Sequence, residues 1–222
     1  MPSPAPPPSD AAAHARRRYA PRMPPEQRRE QLLDAALSVI LEQGYSGVSI
    51  EAVARAAGVT RPVVYDHFPN LSRLLYALVE REEHYALEQL ENVVPAELAD
   101  VEPAELLREG VKRLLDAIAS RPATWRLILL PPAGTPAIVR QHVETNREHT
   151  LARVEQVVRW ALTRPELPDA LDVELAARAI RDLAEEAGRM VLTDPERYPP
   201  ERYERFVEAV MRLLWPRDET AA

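Results

Sequence analysis

Between Glu26 and Arg61 the chain has no proline, and apolar residues fall at Leu32, Leu33, Ala36, Leu37, Ile40 and Leu41, the spacing of one helix face. Pro24-Pro25 mark the start of that helix, and Gly44 supplies a residue able to take a left-handed C-cap. Two short helices are expected next, over roughly Ser49–Ala57 and Thr60–Asp66. A longer one should run from about Asn70 to Val93, with Leu71, Leu74, Leu75, Leu78 and Tyr85 along one stripe. Beyond Pro95, prolines cut the sequence into helical pieces near 103–120, 122–130, 136–163, 171–192 and 200–215. Valine and isoleucine never alternate with polar residues as a half-buried strand requires. The pattern predicts an all-α protein in which an N-terminal three-helix unit is joined to a larger helical domain, with no internal repeat of fixed period.

The segment Ser49–Phe68 encodes two short helices and a tight turn, the pattern of a helix-turn-helix. Ser49 is a good N-cap, Glu51 favours the positive end of its helix, and Ala54 and Ala57 leave room for the next helix to approach. Gly58 can take the positive φ that turns the chain. Thr60 caps the following helix, and Pro62 falls in its first turn, where a missing N–H costs nothing. Val53, Val59, Val64 and Phe68 can form a small shared core. That leaves the N-terminal face of the second short helix outward, where a recognition helix meets base edges in the major groove.

Arg61 and Val63 are the candidates for reading bases. Arginine pairs with guanine in bidentate fashion, and valine offers apolar contact to a thymine methyl. Ser49, Thr60, Tyr65 and His67 carry donors suited to phosphate oxygens, which position a protein rather than specify its site. Two alternatives stay open: Ser49 and Thr60 as helix caps only, and Tyr65 as a half-buried core tyrosine.

Charge supports a nucleic-acid partner once its distribution is considered. The chain has 222 residues and a net charge of −7, but nine arginines and six acidic residues lie between His14 and Arg73, so that segment is +3 and the remainder −10. An acidic remainder repels phosphate and helps aim the basic end at DNA; it also describes a simple soluble acidic domain. Residues 1–23, rich in proline, read as a disordered arm. Its Arg16-Arg17-Arg18 cluster could reach a neighbouring groove or be a solvated tail.

At this point the sequence resembles the TetR family of one-component bacterial transcriptional regulators. The resemblance rests on Leu33-x-x-Ala36-Leu37, Gly44-Tyr45, Val48-Ser49-Ile50, Val53-Ala54, Ala57-Gly58-Val59-Thr60 and Tyr65-x-His67-Phe68, followed by Leu74-Leu75. It covers about the N-terminal quarter of the chain. Two positions depart from the family pattern. Pro62 stands where the family usually has glycine, and Leu71 stands where it has a lysine that helps hold a phosphate; Arg73 is the candidate replacement.

The resemblance implies a helix-turn-helix domain over 24–70, a helical effector-binding and dimerisation domain over 71–216, and a tail over 217–222. It further implies a homodimer, double-stranded operator DNA and a small-molecule effector as partners, and no cofactor. Two stripes give independent support. One runs through Ala176, Ala179, Ile180, Leu183 and Ala187, continuing to Met190 and Val191. The other runs from Tyr203 through Phe206, Val207, Val210, Met211 and Leu214. Two such helices from each chain could make a four-helix interface, with Gly188 among the small residues allowing close approach. The same stripes could also bury within one monomer. His142, Asn146 and Thr150 share a helix face and could give a ligand pocket its polar lining, with Tyr85, Trp125 and Trp160 as walls. The competing reading makes them a solvated edge and ordinary core aromatics.

Other function classes find little purchase. With no cysteine there is no disulfide, thiolate metal site or cysteine nucleophile. No histidine follows a glutamate by three residues, as a carboxylate-bridged metal centre in a helical bundle would need. No serine elbow or phosphate-binding glycine loop is present. The N-terminus lacks a long apolar run behind a basic start, so a cytoplasmic protein is expected. The sequence therefore points to a DNA-binding regulator, a repressor released by a small-molecule effector, rather than an enzyme. The runner-up keeps the DNA contact without the ligand, as an architectural protein.

Overall fold

The computed structural model describes residues 23–90, 101–131, 134–164 and 171–214. The arm with Arg16–Arg18, the stretch from Glu91 to Val93 and the tail lie outside the described residues, as do the side chains of Met211 and Leu214. The described residues form α1 (Pro25–Gln43), α2 (Ile50–Ala56), α3 (Arg61–His67), α4 (Leu71–Leu90), α5 (Pro103–Ser120), α6 (Pro122–Leu129), α7 (Ala137–Ala161), α8 (Val173–Thr193) and α9 (Pro200–Leu214), with no strand among them. A single 3₁₀ turn, Tyr45–Gly47, follows α1. No helix among the described residues is long and apolar enough to cross a membrane.

Proline does much of the punctuation. It opens α1, α5 and α6 in their first turn, where its fixed φ suits the helix and its missing N–H is not needed. Gly44 does take a positive φ of 70°, but its ψ of 178° is not that of a left-handed cap. That region is open essentially to glycine alone, and it leads the chain into the Tyr45–Gly47 turn.

The first core gathers α1, α2 and α3 with the opening turns of α4. Leu32, Leu33, Ala36 and Ile40 meet Val53, Val64 and Phe68, and Leu74, Leu75 and Leu78 close the other side. Leu127 of α6 and Val139 of α7 belong to the same cluster, so it does not end at the helix-turn-helix. Farther along α4, Ala86 joins a second cluster with Leu115, Ile118, Trp125, Leu129, Val191 and Leu192. A third, smaller cluster holds α7 to α8 through Leu151, Val158 and Ala177. α4 therefore serves both ends of the molecule. α5 packs against α8 and α9.

Candidate nucleic-acid interface and C-terminal sites

The turn between α2 and α3 fixes how the second of these helices is presented. The Val59 N–H donates to the Ala54 carbonyl at 2.9 Å and the Gly58 N–H to the Arg55 carbonyl at 3.2 Å. This is the pair of bonds of a Schellman motif, with Gly58 at φ 66° in the position that needs it. Val59, just past the glycine, packs against the core. Gln31 of α1 also donates to the Ala57 carbonyl at 3.0 Å, locking the end of α2 to α1.

α3 is held from behind by Val64 and Phe68, both buried, and shows its other face to solvent. Thr60, Arg61, Tyr65 and Asp66 are exposed, and Val63 and His67 are half-buried. Tyr65 is 47% exposed, so it is not a core tyrosine. The two cap residues differ. Ser49 accepts the Ala52 N–H at 3.0 Å and thus caps α2. Thr60 occupies the N-cap of α3 without a side-chain cap bond, so its hydroxyl is not committed there.

Arg73 is exposed near the start of α4, whose N-terminus is capped by Asn70 through the Arg73 N–H at 2.9 Å. Leu71 packs against the first core, so the position where the family has a lysine is used here for apolar contact. Arg73 and His67 line one depression, of about 320 Å³, together with Arg29 and Tyr76. The Arg29 guanidinium lies 4.7 Å from the Phe68 ring centroid. Arg29 was not singled out from sequence, because its closeness to α3 comes from the packing of α1 and not from any local motif.

The six residues considered for ligand lining meet different neighbours. His142 and Asn146 converge on Glu83 of α4, which is only 6% exposed. Asn146 donates to its carboxylate, and His142 Nε2 lies 2.6 Å from Glu83 Oε2, an ion-pair contact outside hydrogen-bond alignment. Burial pushes the Glu83 pKa up, while the His142 charge and the Asn146 bond pull it back. Thr150 is exposed and bonds the Asn146 carbonyl of its own helix. Trp125 lies in the second cluster and donates from Nε1 to Gln89 at 3.4 Å. Tyr85 is half-buried, with Arg121 4.4 Å from its ring centroid. Trp160 sits near the end of α7 with Arg164 5.3 Å from its ring. Side chains that share one helix face can still be divided among different neighbouring helices, and here they are.

The dimer stripes are divided in the same way. Ala176 and Ile180 pack on the α7–α8 cluster, and Ala187 is buried. Gly188 faces inward too: an added Cβ would lie 2.6 Å from Leu129 and 2.8 Å from Ile118, so its close approach is made inside the protomer. Ala179 is exposed, Leu183 is 72% exposed and Phe206 63% exposed, with Val207 and Val210 half-buried. Leu175, one turn before Ala179, is exposed as well. Apolar side chains thus stay uncovered on both α8 and α9 after the protomer has packed.

Residues 32–78 match the family model described as bacterial regulatory proteins, tetR family. The chain is 28% identical over 163 residues to the HTH-type transcriptional regulator SrpR of Pseudomonas putida, covering 71% of this chain and 72% of that one. It is 32% identical over 107 residues to the HTH-type transcriptional activator FasR of Mycolicibacterium smegmatis, about half the length of each (48% and 48%). Its fold is similar to that of the transcriptional regulator FadR from Bacillus subtilis in complex with stearoyl-CoA, with a TM-score of 0.65 and 21% identity over 83% of this chain and 96% of that one.

Proposed function

Since the chain belongs to the TetR family of DNA-binding bacterial regulatory proteins, we propose that it acts as a homodimeric repressor. It occupies an operator through α3 and leaves it when a small-molecule effector binds its C-terminal helices. The observation that carries this reading is the outward face of α3. Arg61 and Val63 stand there on a helix fixed from behind by Val64 and Phe68. Arg61 and Val63 read bases in the major groove. Ser49, Thr60, Tyr65, His67 and Arg73 hold phosphates on either side, with Arg29 joining His67 and Arg73 along their shared depression.

The uncovered apolar side chains support dimerisation. Leu175, Ala179 and Leu183 recur every four residues along α8, Phe206 of α9 is exposed as well, and water-exposed apolar side chains at that spacing call for a partner. A second copy of the chain would bury them and present two α3 helices to successive major grooves. Effector binding need only favour a dimer state in which that spacing no longer matches the DNA. FadR, solved with stearoyl-CoA, gives a precedent for ligand binding on this fold. The similarity to FasR, named an activator, favours a second reading in which the sign of regulation is reversed while the DNA contact is the same.

The test is binding of the full chain to DNA flanking its own gene, titrated over salt, with protomer stoichiometry measured in parallel. Two protomers per site and affinity falling steeply with salt are expected. A monomer with no preference for that DNA over an unrelated duplex would overturn the reading.

A further inference from the structure

A cavity of about 180 Å³ lies where the helix-turn-helix meets the C-terminal helices. Its walls are apolar: Val79 of α4, Leu127 of α6, and Val139 and Val143 of α7. Its polar lining comprises Tyr45, Thr135, Arg140, Glu144 and Arg147; the exposed Glu144 lies 3.9 Å from Arg147 and forms no ion pair with Arg140. Tyr45, in the 3₁₀ turn after α1, is only 6% exposed, yet its hydroxyl has no hydrogen-bond partner among the described residues. Burial, aided by the charge on Glu83, pushes that phenol up to about 12, so it stays a hydrogen-bond donor. Arg140 stands at the rim, exposed. One of its N–H groups donates to the Thr135 carbonyl at 2.6 Å, and no carboxylate pairs with it among the described residues. Arg147, also at the rim, differs in being held by Glu185 of α8.

We propose that this cavity binds a small carboxylic acid with a compact apolar body, one ring or a short branched chain. The apolar part fills the space among Val79, Leu127, Val139 and Val143, and the carboxylate meets Arg140, with the Tyr45 hydroxyl as a further donor. The size fits, since a cavity of roughly 150 Å³ is enough to take benzene. An unpaired guanidinium at the mouth of an apolar space selects an anion over a neutral molecule of the same shape. The position matters as much as the chemistry. An occupant touches the Tyr45 turn of the DNA-binding unit on one side and α6 and α7 on the other, so its affinity depends on how these parts sit together. The inference rests on the effector-gated reading above and supplies it with a site and a ligand class.

The test is calorimetric titration of the full chain with benzoate and isovalerate, and with benzamide as the neutral counterpart of benzoate, first without DNA and then with operator DNA present. One acid per protomer is expected to bind, with benzamide weaker by about tenfold. Arg140→Gln, at an exposed position, should abolish the preference for benzoate over benzamide. Val143→Phe, which fills the cavity, should abolish binding of all three. Should Val143→Phe fail to fold, Arg140→Gln still decides. Failure of both acids to bind the wild type, or an unchanged benzoate preference in Arg140→Gln, overturns the site. If the acids bind as expected and DNA affinity is unchanged, the site stands and effector gating falls. If they do not bind while another compound releases DNA, gating stands and this site falls.

Discussion

His142 of α7 and Glu83 of α4 approach to 2.6 Å, with the carboxylate almost fully buried. The preceding residue, Glu82, is 2% exposed and is met by Arg81 at 2.7 Å and by the Thr124 hydroxyl of α6 at 2.5 Å. Arg81 also reaches Glu30 and Asp34 of α1, each at 2.8 Å. Two adjacent carboxylates on α4 therefore attach it to α6 and α7, and their neighbour attaches it to α1. Among the described residues, α4 thus joins the C-terminal helices to the DNA-binding end by polar as well as apolar contacts.

The buried Glu83 makes stability depend on pH in a known direction. Its pKa is raised from 4.5 in the folded protein, so the native state holds this proton more tightly than the unfolded chain does. Its contribution is fully present below 4.5 and is lost as pH rises through that value toward the raised one. Glu83→Gln removes the titration. The stability of the wild type minus that of Glu83→Gln should therefore fall as pH rises above 4.5, read from urea midpoints. A difference that is flat or grows with pH would refute the assignment.

Two glycines should resist alanine for different reasons. Gly58 has open space around its Cβ position but a φ of 66°, so Gly58→Ala should cost about 1–2 kcal/mol from backbone strain, and Gly58→Asn should recover part of it. Gly188 has an ordinary φ but no room. Gly188→Ala should cost about 1–3 kcal/mol through collision with Leu129 and Ile118, both buried. Adding Leu129→Val should relieve Gly188→Ala and leave Gly58→Ala unaffected. Chemical denaturation of the single and double variants checks both.

At the DNA interface the base-reading and phosphate-holding residues should separate by salt. Arg73→Ala is expected to weaken all duplexes alike and to reduce the slope of log K against log salt by about 0.9. Arg61→Ala should cost about 1–3 kcal/mol on the operator and relax preference at one base pair. An unchanged salt slope in Arg73→Ala would remove that residue from the interface.

The uncovered apolar side chains on α8 and α9 predict a sharp contrast between two positions on one helix. Leu183→Glu should leave helix content intact and yield a monomer by light scattering, because Leu183 is 72% exposed. Ala177→Glu should lower the melting temperature markedly, because Ala177 is fully buried against α7. A Leu183→Glu protein that stays dimeric would place the interface elsewhere.

Local signals fixed the helices and the motif in advance. Prolines at helix starts, apolar residues at 3.6 spacing, and the Ser49, Gly58 and Pro62 pattern all act within a few residues of where they stand. Helix boundaries and the outward face of α3 were legible for that reason. What tertiary structure decided was which partner each face meets. Periodicity cannot distinguish a stripe buried in its own protomer from one left for another chain, and α8 carries both, Ala177 on one side and Leu183 on the other. His142 and Asn146 share a helix face in the sequence, but only the packing of α7 on α4 brings them to Glu83. The junction cavity joins Tyr45 to residues some hundred positions away, a meeting that no local pattern encodes.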